Sequence, residues 1–254
     1  MSLIGVIAGA SRRRGATFTP TSIADIALWL DGADETTMFD ATSGGSLVGV
    51  GEKIARWEDK SGADRHATQA TSDNRPTRQA GVQNSLDIVR FGDALWLSGP
   101  LPAFASMTVF TVMRQTTQTF FPRVFTRRMG SNNDFTVDAD RWIPLICGAN
   151  SSDFGSFADN ALRAQVGGTL NVWHMFRNIH TGTQLRNSRD GGSEATYSHT
   201  LTVGSAGDYF LSKSPTQDSG YFRGDVAENI VYLRTLTAGE ISQVESYLQA
   251  KWDL

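Results

Sequence analysis

Hydrophobic and polar positions alternate with period two over most of this chain and switch to a helical period only at its C-terminal end. In 224–233 the alternation places Val226, Glu228, Ile230 and Tyr232 on one side and Ala227, Asn229, Val231 and Leu233 on the other, the pattern of a β-strand. Thr237 then stands three residues before Glu240, the spacing of a capping box. Ile241, Val244, Leu248 and Trp252 follow on one helical stripe. The pattern predicts a strand that leads into a helix over 238–252 and either passes beneath it or lies beside a surface that the stripe covers.

Other segments read as short strands. Thr108, Phe110 and Val112 alternate with Val109, Thr111 and Met113, and both sets are largely apolar, as in a strand covered on two faces. Trp173, Met175 and Arg177 share one face, with His174, Phe176 and Asn178 on the other. Asp190-Gly191 inside Ser188 to Gly192 is a hairpin signal. Residues 115–160 form a long variable region. It concentrates Phe120, Phe121, Phe125, Phe135, Trp142, Phe154 and Phe157 among Asn132, Asn133, Asp134, Asp138, Asp140, Asn150, Asp153 and Asp159.

Four blocks resemble a known family. They are Ala27-Leu28-Trp29-Leu30-Asp31-Gly32-Ala33-Asp34, the stretch Ile54 to Gln69 containing Trp57-Glu58-Asp59-Lys60-Ser61-Gly62, the run from Pro76 to Trp96 followed by Met107 to Arg114, and the closing strand and helix. In this order they resemble concanavalin A-like, laminin G-type sandwich domains of phage virion and bacterial surface proteins, over residues 24–114 and 200–254. The resemblance implies an all-β fold: a concanavalin A-like jelly-roll sandwich of two antiparallel sheets, with an extended N-terminal arm (1–20) and a short C-terminal helix on the sandwich domain (21–254). It implies less about activity, because the fold hosts lectins, glycanases and structural modules. Trp29, Trp57, Trp96 and Trp252 are expected in the core or at the sheet–helix seam.

Composition narrows the classes. The chain has 254 residues, 40% hydrophobic and 19% charged, enough for one sandwich. Its 25 glycines suit many tight turns. A net charge of −3 speaks against a nucleic-acid surface. The single cysteine, Cys147, allows no internal disulfide, and its apolar flank reads as a buried thiol. No apolar run reaches a membrane-spanning length. Leu3 to Ala10 is apolar, but Arg12, Arg13 and Arg14 follow it rather than precede it, so no signal peptide is read. Leu3, Ile4, Val6, Ile7 and the three arginines are instead expected to form an anchoring arm on a neighbouring subunit or partner.

Chemistry-bearing motifs are sparse. The Glu-x-Asp-x-x-Glu strand of related glycanases does not occur, and Glu58-Asp59, Asp225 and Glu228 read as turn caps and solvated sheet edge. The histidines His66, His174, His180 and His199 are near no Gly-x-Ser-x-Gly elbow. On these grounds no enzyme is expected. No cofactor is expected either, calcium aside: Asp134, Asp138 and Asp140 supply hard oxygen ligands, although the same residue types are common in polar turns. Trp142, Phe154, Phe157 and Tyr209, with Asn150 and Asp153, are the candidate carbohydrate-binding residues, since sugar faces stack on rings and amides or carboxylates bond hydroxyls. The expected function is a phage virion protein, a capsid decoration, fibre or tail-associated protein made in the host cytoplasm. It would display a lectin-like module and assemble with other virion proteins through its arm, as a homo-oligomer with a trimer favoured. The alternatives are an adhesion lectin for cell-surface glycans and, third, a glycan hydrolase. Neither nucleic acid nor membrane is expected as a partner.

Overall fold

The computed structural model describes residues 18–119, 121–127, 143–147, 153–158, 161–200, 206–214 and 220–254. Its strands are β1 (Ile26–Asp31), β2 (Met38–Phe39), β3 (Arg56–Trp57), β4 (Ala67–Thr68), β5 (Thr77–Gln83), β6 (Leu86–Phe91), β7 (Leu97–Leu101), β8 (Met107–Gln115) and β9 (Arg123–Arg127). They continue with β10 (Ile143–Cys147), β11 (Asp153–Ala158), β12 (Ala161–Gly167), β13 (Trp173–His180), β14 (Gln184–Arg189), β15 (Ala195–Ser198), β16 (Gly207–Leu211) and β17 (Gly224–Tyr232). Among the described residues there is one α-helix, α1 (Ala238–Trp252).

The strands form two antiparallel sheets. Sheet A runs β15-β14-β13-β8-β17-β6-β5, with β1 also paired to β17. Sheet B runs β12-β11-β10-β9-β16-β7-β4-β3-β2. Between them lies the main core, which includes Leu28, Leu30, Trp57, Phe91, Val109, Phe125, Phe176 and Leu211. A second apolar layer covers the outer face of sheet A. There Phe110, Val112, Met175, Ile179, Ile230 and Tyr232 meet Ile241, Val244, Leu248 and Trp252 of α1. The helix stripe read from the sequence is therefore the docked face, and β17 does pass beneath it. The capping box is formed: the Thr237 hydroxyl accepts from the Glu240 N–H, and the Glu240 carboxylate accepts from the Thr237 N–H. Among the described residues no helix is long and apolar enough to cross a membrane.

Strand β17 organises sheet A and departs from simple alternation. Val226 pairs with Met113, but Glu228 pairs with the preceding residue, Val112. Ala227 is the extra residue of a β-bulge. The bulge turns Val226 into the inner core, whereas Glu228, Ile230 and Tyr232 face α1. The expected grouping of Val226 with those three is corrected by this one-residue insertion. At the same point β17 changes its second partner from β6, opposite 224–226, to β1, opposite 228–232. Gly32 fits the junction: a Cβ there would stand 2.7 Å from the Ala227 carbonyl oxygen.

The chain enters the domain before the first strand. The Phe18 ring packs on Tyr247 at 5.8 Å between centroids, and the Pro20 carbonyl accepts the Tyr232 hydroxyl at 2.9 Å. Leu3, Ile4, Val6, Ile7, Arg12, Arg13 and Arg14 lie outside the described residues.

Candidate functional site

The signature blocks converge on a buried polar cluster beneath α1. Strand β1 brings Trp29 and Asp31, the turn after β3 brings Asp59 and Lys60, β17 brings Glu228, and α1 brings Tyr247, Lys251 and Trp252. Asp59 ties the turn to β1: its Oδ1 accepts from the backbone N–H of Trp29 at 2.9 Å and of Ser61 at 2.8 Å, and its Oδ2 from the Arg65 N–H at 3.0 Å. This lets Lys60 reach Asp31 at 2.8 Å and Asp34 at 2.7 Å, with its ammonium 4.5 Å from the Trp29 ring centroid.

Glu228 is saturated. Its Oε1 accepts from the Trp29 indole at 2.7 Å and the Tyr247 hydroxyl at 2.9 Å. Its Oε2 accepts from the Trp252 indole at 2.7 Å and from Lys251 Nζ at 2.8 Å. Lys251 also bonds Asp31 Oδ1 at 2.5 Å, so one ammonium bridges two carboxylates. Burial, with Asp31 alongside, pushes the Glu228 carboxyl above its ordinary range, against the pull of Lys251 and Trp252. Burial disfavours the Lys60 charge, but Asp31 and Asp34 outweigh it and raise that ammonium. With two donors on each oxygen, Glu228 clamps the helix to the sheet and offers no open lone pair to a substrate.

The expectation of a solvated sheet edge at Asp225 and Glu228 is thus corrected. They are 0% and 1% exposed, because β17 is an interior strand of sheet A. Each buried charge is matched by cations from neighbouring elements, Arg90 and Arg114 for Asp225 and Lys251 for Glu228.

The expected sugar-binding residues part company. Phe154 and Phe157 lie on β11, 2% and 5% exposed, and Tyr209 lies on β16, fully buried. Phe154 packs on Phe176 at 4.6 Å, Phe157 on Phe121 at 6.4 Å, and Tyr209 stacks on Phe125 at 5.8 Å. The Tyr209 hydroxyl donates to the Arg65 carbonyl at 2.8 Å, and burial drives its pKa well up. These three rings are core, because a covered strand face, not a loop, holds them. Asp153 is exposed at the start of β11. Trp142 and Asn150, and the calcium candidates Asp134, Asp138 and Asp140, lie outside the described residues. Among the described residues no group of three or more His, Cys, Asp or Glu is placed to hold a metal ion.

An aromatic surface exists elsewhere. On β16, Tyr209 and Leu211 point inward, so Asp208 and Phe210 point outward from sheet B. Phe210 is half-buried and pairs with Ser98 on β7. Trp96, expected in the core, is also half-buried on this outer face, 5.9 Å from the Phe210 ring at an interplanar angle of 46°. Lys213 Nζ lies 4.6 Å from the Trp96 ring centroid, and Asp208 is exposed one step along the strand face. Two rings, a carboxylate, a hydroxyl and an ammonium thus border one surface. The signal for it was the alternation of Asp208-Tyr209-Phe210-Leu211, which offers either Tyr209 or Phe210 to solvent.

No protein-family model matches the sequence, and no curated protein matches it. Solved structures do share its fold. Trypanosoma rangeli sialidase, in complex with 2,3-difluoro-KDN, matches 90% of this chain with a TM-score of 0.58 at 13% identity. The same sialidase with sialic acid matches 90% with a TM-score of 0.54 at 14% identity. A GH54 α-L-arabinofuranosidase soaked with a cyclic sulfate inhibitor matches 79% with a TM-score of 0.59 at 14% identity. This chain spans 33% of the sialidase chain and 51% of the arabinofuranosidase chain. The expectation that the chain is no enzyme is corrected by this finding. The absent Glu-x-Asp-x-x-Glu strand tests one glycanase motif only, and solved structures that share this fold include a sialidase and an arabinofuranosidase. At such identity the likeness establishes the fold: an antiparallel two-sheet sandwich of a kind found in carbohydrate-active proteins.

Proposed function

We propose that this chain is a concanavalin A-like sandwich that engages carbohydrate on the outer face of sheet B, with Trp96 and Phe210 as the platform. The observation that carries the reading is the pair of outward rings 5.9 Å apart, flanked by Asp208, Ser98 and Lys213. Apolar sugar faces stack on such rings, and the flanking groups accept from and donate to hydroxyls. The fold shared with a sialidase and an arabinofuranosidase supports a glycan as the ligand class. An open platform of this kind gives weak single-site affinity, about −4 kcal/mol or roughly millimolar, which repeated copies raise through effective concentration.

A second reading, the virion setting, is favoured by the place where the N-terminal segment joins the domain. Phe18 and Tyr247 wall a groove of about 620 Å³ along α1, lined also by Ser242, Gln243, Ser246 and Lys251. In this reading the N-terminal arm, 1–20, anchors the domain in a homo-oligomeric particle, and the platform is its display surface.

The test is a glycan array probed with an oligomerised form of the native chain, of Trp96→Ala and of Phe210→Ala, with sugar release measured on the same glycans. The native chain is expected to bind, and each variant to lose about tenfold or more. Binding unchanged in both variants would remove the platform from the site, and no binding to any glycan would overturn the reading.

A further inference from the structure

Helix α1 covers only part of the outer face of sheet A. One row of residue pairs beyond that cover, Arg90 on β6 stands opposite Asp225 on β17, Asp225 opposite Arg114 on β8, and Arg114 opposite Trp173 on β13. The row faces away from the sandwich interior, since the adjacent Val89, Val226 and Met113 belong to the inner core.

Asp225 is fully buried at its centre. Its Oδ1 accepts from Arg90 Nε at 2.7 Å, and its Oδ2 from Arg90 Nη2 at 3.2 Å, Arg114 Nε at 3.1 Å and Arg114 Nη2 at 2.5 Å. Both guanidiniums therefore spend the same edge, Nε with Nη2, on this carboxylate, and each turns its Nη1 side away from it. The Arg90 side chain remains 43% exposed and that of Arg114 24%. One carboxylate between two guanidiniums leaves one excess positive charge. The neighbouring Arg223 and Asp93 pair with each other at 2.5 Å and do not offset it. The Arg114 guanidinium lies 5.1 Å from the centroid of the Trp173 ring, which is itself half-buried. Thr77, opposite Arg90 on β5, adds a hydroxyl at the end of the row.

We propose that this row is a second binding site, on the sheet opposite the Trp96 platform, for a carboxylate-bearing sugar such as a hexuronate. The sugar carboxylate would meet the Nη1 sides of Arg90 and Arg114, whose planar donors match an oxyanion. The pyranose ring would lie toward Trp173. The excess charge and the outward donors call for an anion independently of any reading of function. The choice of a sugar as its carrier rests on the carbohydrate reading above.

The experiment is calorimetric titration of the full chain with trigalacturonate at low ionic strength, where such a contact is least screened. Parallel titrations use the fully methyl-esterified trisaccharide, a hexaglutamate peptide and inorganic sulfate. Native protein is expected to bind trigalacturonate about tenfold more tightly than the ester, the peptide or sulfate. Arg90→Gln leaves Asp225 paired to Arg114 and is expected to lose about tenfold, Arg90→Lys about threefold, and Trp173→Leu about fivefold. Circular dichroism spectra and melting curves identify any variant that fails to fold, and Arg90→Lys keeps the test valid if Arg90→Gln does. Trp96→Ala is expected to leave trigalacturonate binding intact. Failure of the platform alone would thus appear as loss of array binding with this site retained. Equal affinity for acid and ester, an unchanged Arg90→Gln, or no binding by the native chain overturns the proposal. Hexaglutamate or sulfate binding as tightly as trigalacturonate overturns the assignment to a sugar.

Discussion

The indole N–H of Trp252 donates to Glu228 Oε2 at 2.7 Å, joining the last residue of the helix to the middle of β17, an interior strand of sheet A. Trp252 is 0% exposed. Replacing it by Phe keeps most of the ring but leaves a buried carboxylate short of one donor, at about 1–3 kcal/mol. Replacing it by Ala also removes the packing, at about 3–5 kcal/mol. Urea unfolding of the two variants checks this. A Trp252→Ala loss no larger than that of Trp252→Phe would show that ring packing adds nothing to the clamp.

Gly99 and Tyr209 face each other across β7 and β16. A Cβ on Gly99 would stand 2.4 Å from the His66 carbonyl oxygen and 2.8 Å from the Tyr209 hydroxyl. Gly99→Ala is expected to cost about 1–3 kcal/mol through overpacking, and Tyr209→Phe about 0.5–1.5 kcal/mol through its lost hydrogen bond to Arg65. In an alkaline absorbance titration Tyr209 should stay protonated after exposed tyrosines have ionised, since burial holds its pKa high. A Tyr209→Phe variant with the same titration amplitude as native protein below the unfolding pH is the expected result.

His180 gives the fold an acid-side sensitivity. It is fully buried, its Nδ1 accepts from the Gly182 N–H at 2.9 Å, and its Nε2 lies 2.9 Å from His199 Nδ1. The Gly182 contact fixes the neutral tautomer with the proton on Nε2. Burial, and then His199, lowers its pKa to about 4 from 6.5. The unfolded chain therefore takes up a proton that the folded chain refuses between those values. Stability should fall as pH drops from about 6.5 to about 4 and level off below. Imidazole resonances followed by NMR should show His180 neutral at pH 5. Titration of His180 near 6.5 would refute a His180 held neutral by burial.

Trp96→Ala and Phe210→Ala should lose glycan binding with modest effect on folding, about 1–2 kcal/mol each, because both rings are only half-buried. Tyr209→Ala, one residue away, should cost about 3–5 kcal/mol. Equal stability losses at 209 and 210 would mean that the strand faces are assigned the wrong way round.

Local patterns settled what depends on nearest neighbours in the chain. The capping box at Thr237 and Glu240 and the stripe Ile241, Val244, Leu248 and Trp252 are legible because helical spacing and cap chemistry act within one or a few turns. The alternation of β8 and β13 is legible because side chains on a strand repeat every second residue. The all-β architecture with one closing helix follows from these elements together.

What alternation does not carry is its absolute sense. It says that Tyr209 and Phe210 face opposite ways, and only the second sheet decides that Tyr209 is the covered one. Nor does it register an inserted residue: the bulge at Ala227 arises from pairing with β8 and reverses Val226 relative to Glu228. The burial of Glu228 is likewise decided in three dimensions, since its donors include Trp29, 199 positions away, and three residues of the helix. A carboxylate looks solvent-seeking in a sequence because its free energy there is set by water. In the folded chain four donors take the place of that water, and the strand that carries it lies in the interior of the sheet.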